Sequence, residues 1–301
     1  TILEIGPAWH KDKQGTPIMG GFMFIIASLV TAALGYTAYR IFYYNVDNSI
    51  AMNGMLRLIS CMIFSVCFSA IGFADDYIKA VKKQNLGLSA KQKMIFQFII
   101  CIAFLAVLYF LGDKSTEINL MFCSLDIGWF YYPFMILVMI YVSNAVNLTD
   151  GLDGLASFVT IPVTITFAAI AYGQNQLDLC GFAMALCGGC MGFLLFNHHP
   201  AKVFMGDTGS LAIGGGIAAL ALLTKTEILL IVLGGVYVAE AASVIIQVSY
   251  FKYTHGKRVF RMTPIHHHFE MSGFSEYKIV ITFSITGMIF GVLGIISLLV
   301  F

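Results

Sequence analysis

Runs of roughly 20 mostly apolar residues recur along the whole chain, and nothing else in the sequence constrains its fold as strongly. In lipid a backbone must satisfy its own N–H and C=O groups, so runs of this length fold as spanning helices. They fall at about 18–39, 55–74, 94–112, 129–147, 154–173, 177–197, 208–224, 226–251 and 279–301. Nine candidate spans joined mostly by short links leave no room for a separate soluble domain. The sequence therefore predicts an all-α polytopic membrane protein, a single integral-membrane domain over residues 1–301. A hydrophobic content of 59% with only 11% charged residues places that domain in a lipid bilayer. The chain opens on Thr1, runs through a polar lead-in to residue 17 and shows no signal-peptide pattern, so a preceding segment is expected to be absent.

The span count decides which connections share a side of the membrane. One alternate set comprises 1–17, 75–93, 148–153, 198–207 and 252–278. It holds thirteen basic residues: Lys11, Lys13, Lys79, Lys82, Lys83, Lys91, Lys93, Lys202, Lys252, Lys257, Arg258, Arg261 and Lys278. The other set holds four, Arg40, Arg57, Lys114 and Lys225, so the positive-inside rule puts the first set in the cytoplasm. A net charge of +1 gives no sign of nucleic-acid binding. The seven cysteines fall mostly inside apolar runs and imply no disulfide framework. Cys187-Gly-Gly-Cys190 has the spacing of a redox or zinc pair, but its uncharged setting favours helix packing, as do the glycine runs at 20–21, 188–189, 214–216 and 234–235.

Of only sixteen acidic residues, five aspartates stand at span ends on the basic-rich side: Asp75, Asp76, Asp150, Asp153 and Asp207. The second helix is expected to continue past the membrane surface, with Asp75, Lys79 and Lys83 near one face. Adjacent carboxylates suit a base near neutral pH, although on these residues alone a solvated helix end with ordinary ion pairs is the favoured reading. Asn144, Asn147, Asp150 and Asp153 recur every third residue, and Gly151 and Gly154 predict that the helix ends near Asn147. Their oxygens suit Mg²⁺; capping of the next helix by Asp150 or Asp153 is the plainer alternative.

Asp207 opens the seventh span, where a helix N-terminus favours anions, and it reads as a cap or as a metal ligand beside phosphates. Phe204 beside it reads as an interfacial anchor or a stacking platform, and Asn197 adds hydrogen-bonding capacity. Consecutive His266, His267 and His268 would diverge by about 100° each on a helix, so a loop is expected. Their spacing is poor for one zinc; phosphate binding or orientation of a leaving group fits better. Glu240 and Gln247 share a face of the eighth span, Gln247 reaching the site and Glu240 serving packing or a polar network.

Gly15-Thr16-Pro17-Ile18-Met19-Gly20-Gly21, Asp75-Asp76-Tyr77, Asn144 to Gly154, Phe204 to Ser210 and Pro264 to Glu270 follow in order along nearly the whole chain. Together they resemble the polyprenyl-phosphate N-acetylhexosamine-1-phosphate transferases. The intact triple histidine is similar to the phospho-N-acetylmuramoyl-pentapeptide transferase branch. The resemblance implies Mg²⁺-dependent transfer of phospho-MurNAc-pentapeptide from UDP-MurNAc-pentapeptide to undecaprenyl phosphate. The products would be lipid I, for peptidoglycan synthesis, and UMP, formed at the cytoplasmic face of the bacterial inner membrane.

By the same resemblance the catalytic set is Asp75, Asp76, Asp150, Asp207 and His266. Asp207 would be the principal Mg²⁺ ligand, with Asp75 and Asp76 as further candidates, and Asp75 would deprotonate or orient the lipid phosphate. Asp76, Asn147 and Asp150 would support metal and pyrophosphate, with Asn144 facing the site. Phe204 would stack on uracil, with Gly151, Leu152, Asp153, Asn197 and Lys11 around the uridine. Lys79, Lys83, Lys91, Gln247, His266 and His267 would contact phosphates or sugar. Family members have ten spans and commonly dimerise, which implies a missing first helix and a homodimer. The rivals are a sister transferase using UDP-N-acetylglucosamine and, in another class, an ion-coupled transporter. Against the transporter, the acidic motifs gather at one face and inverted halves are not evident.

Overall fold

The computed structural model describes residues 15–42, 48–82, 86–120 and 123–300. Lys11 and Lys83, both expected near the site, lie outside the described residues. The helices are α1 (Gly21–Phe42), α2 (Asn48–Lys82), α3 (Ala90–Phe110), α4 (Tyr131–Thr149), α5 (Leu155–Gly173), α6 (Leu177–Asn197), α7 (Gly206–Leu223), α8 (Leu229–Leu233), α9 (Gly235–Tyr253), α10 (Ile265–Glu270) and α11 (Glu276–Val300). A small antiparallel hairpin, β1 (Glu117–Asn119) and β2 (Ser124–Asp126), joins α3 to α4 and was not foreshadowed in the apolar pattern.

Among the described residues eight helices, α1 to α7 and α11, are long and apolar enough to cross a membrane. The eighth expected span, 226–251, is instead divided at Gly234 into α8 and α9. Glu240, Gln247 and Lys252 dilute the apolar character of α9, which explains why it falls outside the eight. The α2 helix has 35 residues, about 50 Å at 1.5 Å per residue, against a hydrocarbon core of about 30 Å. Its last turns therefore run beyond the apolar layer, as the sequence predicts. The chain turns back through Ser89, which caps α3 in a reciprocal box with Gln92.

At the centre stands α7, in which every residue from Thr208 to Leu223 is buried, enclosed chiefly by α2, α4 and α1. Small residues make this possible: a Cβ on Gly214 would fall 2.6 Å from Ser143 Cα, and one on Gly72 would strike the carbonyl oxygen of Asp207. Hydrogen bonds from Ser65 Oγ to the Ala212 carbonyl (2.8 Å) and from Ser69 Oγ to the Thr208 carbonyl (3.1 Å) lock α2 to α7. The glycine runs thus mark close packing, and Cys187 and Cys190 are buried free thiols. By contrast α1, α3 and α11 bury only 28% of their most apolar windows, against 89% for α7, and form the lipid-facing rim.

Polar clusters close both ends of the bundle. At one end Arg57 Nε and Nη2 each donate to Asp178 at 2.9 Å, and Lys225 Nζ donates to Asp113 at 2.9 Å. Arg57 and Asp75 are about 27 Å apart along α2, so the aspartate motifs occupy the other end. The antiparallel course of α2 and α7 brings Asp75, Asp76 and Asp207 together there.

Candidate active site

Asp75, Asp76 and Asp207 offer carboxylate oxygens that all lie within 4.8 Å of one another. Lys93, in the first turn of α3, bridges two of them: its Nζ is 2.6 Å from Asp207 Oδ2 and 3.1 Å from Asp75 Oδ1. Lys79, one turn after Asp75 on α2, places Nζ 2.5 Å from Asp75 Oδ2 and 3.6 Å from Asp207 Oδ2. Two cations thus balance two carboxylates. Asp75 is fully buried and also accepts from the Leu88 N–H at 2.6 Å, so three donors face its two oxygens. Lys79 was expected from the sequence and Lys93 was not. The signal was present in the Ser89-to-Gln92 capping box, which fixes Lys93 in the first turn of α3.

Asp76 has a different task. It accepts from Thr208 N (2.9 Å), Thr208 Oγ1 (2.7 Å) and Asp207 N (3.2 Å), so it satisfies the N-terminus of α7 from a neighbouring helix. The expected capping role for Asp207 is thereby filled by Asp76, and the Asp207 side chain remains directed at the lysines. Asn147 Nδ2 donates to Asp207 Oδ1 (3.0 Å) and to Ser210 Oγ (2.8 Å), holding that carboxylate from the opposite side. Asn144 departs from expectation: it pairs with buried Gln97, Nδ2 to Oε1 at 2.8 Å, and buttresses α3 against α4.

Beside the carboxylates lies a cleft of about 360 Å³ whose walls include Asp150, Gly151, Leu152, Asp153, Asn197, Phe204 and Asp207. The α4 helix ends at Thr149, two residues later than expected, and the aspartates follow in the loop. Loss of water, and then the negative charges of Asp207, Asp76 and Asp153, push the Asp150 carboxyl well above the ordinary carboxylate range. Neither Asp150 nor Asp153 caps α5, whose N-cap is Gly154 in the left-handed region at φ 77°. Asp153 Oδ2 instead accepts from Ala201 N (3.0 Å) and lies 2.9 Å from His199 Nδ1, and Glu276 Oε1 accepts from Asp153 N at 3.0 Å. Asn197 accepts from Gly154 N (3.1 Å) and donates to the Val203 carbonyl (2.9 Å), so it ties two cleft loops together. Leu152 is buried in the wall of the cleft. Phe204 is half-buried in the wall, and its backbone pairs with Pro17 and Gly20.

The triple histidine is not a loop. It forms α10, a six-residue helix, in which the His266 and His267 rings pack with centroids 4.1 Å apart and each of the three imidazoles still finds its own polar partner. His266 Nδ1 is 3.0 Å from Glu240 Oε2, His267 Nδ1 is 2.6 Å from Glu270 Oε2, and His268 Nδ1 accepts from Arg261 N at 3.1 Å. Gln247 does not line the cleft; its Oε1 accepts from Val259 N (3.0 Å) and Phe260 N (2.9 Å) and fixes the last loop. Lys91 is exposed on the first turn of α3.

The sequence profile of glycosyl transferase family 4 matches residues 58–225, a stretch that carries the carboxylate cluster and most of the cleft. A phospho-N-acetylmuramoyl-pentapeptide-transferase of Halalkalibacterium halodurans is 46% identical over 301 residues, covering 98% of this chain and 87% of the relative. The chain belongs to the phospho-N-acetylmuramoyl-pentapeptide transferase family. Transferases of the same name from Bacillus licheniformis and Bacillus subtilis are 47% and 46% identical over 297 residues, each with the same coverage. The family assignment and the multi-pass helical architecture agree with the resemblance drawn from the ordered motifs.

Hard oxygen donors are what Mg²⁺ requires, commonly one or two carboxylates completed by waters and substrate phosphate. The Asp75, Asp76 and Asp207 cluster has that character, with no sulfur or imidazole in it. Because the Asp76 oxygens serve α7, the carboxylates that fit a cation best are Asp207, with 17% of its side chain exposed, and Asp75 behind it.

Proposed function

We propose that the protein transfers phospho-MurNAc-pentapeptide from UDP-MurNAc-pentapeptide to undecaprenyl phosphate, forming lipid I and UMP. The observation that carries this reading is the Asp75, Asp207, Lys79 and Lys93 quartet beside an open cleft. Phosphoryl transfer is mainly positioning and charge neutralisation, so carboxylates interleaved with lysines at a membrane boundary are the parts it needs. Asp207 and Asp75 would hold Mg²⁺, whose charge would offset that of the pyrophosphate oxygens. Lys79 and Lys93 exchange carboxylate oxygens for phosphate oxygens when the anionic substrates enter. Asp75, with three donors on its oxygens, orients the acceptor phosphate by steering those lysines, a role its surroundings favour over that of a free base. Phe204 stacks on the uracil, and the loop from Asp150 to Asp153, tied down through Asn197, shapes the nucleotide pocket.

The thirteen-to-four division of basic residues supports a cytoplasmic position for the cleft. The test is a paired assay in which purified protein receives undecaprenyl phosphate, Mg²⁺ and either UDP-MurNAc-pentapeptide or UDP-N-acetylglucosamine. Lipid-linked product from the first donor alone is expected, and product from the second alone would refute the assignment. Chelation with EDTA should abolish turnover and added Mg²⁺ restore it. Turnover that survives EDTA would remove the metal from the scheme.

A further inference from the structure

The quartet leaves unexplained a second ionisable pair, buried within the bundle. Glu240 on α9 and His266 on α10 have side chains 0% and 1% exposed, and Glu240 Oε2 lies 3.0 Å from His266 Nδ1. An ionised carboxylate only accepts hydrogen bonds, so opposite one Nδ1 donates, and in the neutral ring this leaves the Nε2 lone pair free. That Nε2 is buried and has no hydrogen-bond partner. Buried polar atoms are nearly always satisfied, so an imidazole nitrogen without a partner, separated from the cleft only by the Gly151 wall, points to a ligand.

Two further observations say where it is aimed. A Cβ on Gly151 would fall 2.5 Å from His266 Cε1 and would strike Nε2, so this ring edge abuts the exposed loop residue that lines the cleft next to Asp150. In addition Glu240 and Gln247, seven residues apart on α9, both serve the same segment. Gln247 fixes the Val259 and Phe260 backbone, and Glu240 fixes His266. The polar stripe of α9 is therefore a template for the last loop and for one ring within it.

We propose that Glu240 is a positioning residue for the transfer reaction: it holds His266 in the Nδ1–H tautomer and turns Nε2 toward the Asp150–Gly151 wall. There, when the Gly151 backbone that covers the ring yields to the substrate, Nε2 accepts a hydrogen bond from a hydroxyl or amide N–H of the nucleotide-linked sugar. This rests on the transferase reading above. Only the neutral tautomer with Nε2 unprotonated can make that contact, which distinguishes it from a phosphate contact, where the ring would have to donate.

The test combines kinetics with ¹⁵N NMR of histidine-labelled protein. Glu240→Gln should keep its melting temperature and lose roughly 10- to 100-fold in kcat, by analogy with carboxylates that orient metal-bound imidazoles. KM for undecaprenyl phosphate should not change. In a His266→Asn background, Glu240→Gln should add no further loss, because its effect runs through that ring. A parental kcat for Glu240→Gln, or a loss fully additive with His266→Asn, overturns the proposal. Should the glutamine variant fail to fold, the parent decides: an Nδ1–H signal for His266 supports the idea and an Nε2–H signal sinks it. Failure of the transferase reading would look different, with no turnover of either UDP-sugar by the parent while the Nδ1–H signal persists.

Discussion

Lys93 contacts both carboxylates that matter, so its removal separates charge bridging from metal binding. Lys93→Gln is expected to lower kcat at least about tenfold while the protein still folds, because Lys79 remains on Asp75. Asp207→Asn and Asp75→Asn should each cost at least about a hundredfold, and near-normal turnover at saturating substrate would remove either from the mechanism. Asp150 gives a pH signature. Its folded carboxyl holds a proton above the ordinary range, so the native state binds more protons than the unfolded one. Stability therefore falls as pH rises from the ordinary carboxyl range toward the raised value, and Asp150→Asn should flatten that decline. Melting curves against pH would show it, and parallel curves for parent and variant would contradict it. At this scale the sequence revealed residue types better than duties. Asp76 reads like a catalytic twin of Asp75, yet the chain fold-back that puts it under the α7 N–H groups has no local signature.

Among elements, the α2 and α7 contact determines whether the site exists at all. A Gly72→Ala side chain would meet the Asp207 carbonyl, so the helices must part at the carboxylates. The expected result is a loss of about 1–3 kcal/mol in stability with a disproportionate fall in turnover, read by thermal melting beside the assay. Helix existence was legible from the apolar runs because lipid permits little else. The α10 helix was not, since three adjacent imidazoles look unfavourable on one turn until each is seen with its own partner. Glu270 is one turn along the same helix and the Arg261 backbone seven residues from His268, whereas Glu240 comes from α9. The split between α8 and α9 was hidden because Gly234 and Gly235 weaken the helix there without making the apolar run polar. What exploits the break comes from far along the chain: a Cβ on Gly235 would fall 2.4 Å from the Phe290 ring of α11.

For the whole molecule, the basic-residue division predicts which end faces the cytoplasm, and labelling can check it. Cys123, exposed in the β hairpin, should react with an impermeant maleimide on intact cells, whereas in a Cys123→Ser background a cysteine placed at Lys257 should react only after the membrane is opened. The reverse pattern would invert the topology and put the cleft on the wrong side for a cytoplasmic nucleotide. The general plan was legible in the sequence, because span lengths and alternating connections already gathered the aspartates at one end. What was not legible was depth: which polar side chains face one another inside the bundle depends on helix rotation, and a span that is hydrophobic all round does not encode it. The near-complete enclosure of α7 has one more consequence. Lipids touch α1, α3 and α11 but hardly reach the helix that carries Asp207. A thicker or thinner bilayer would therefore tilt the rim while the central helix keeps its register, so turnover should vary little across vesicles of graded acyl-chain length.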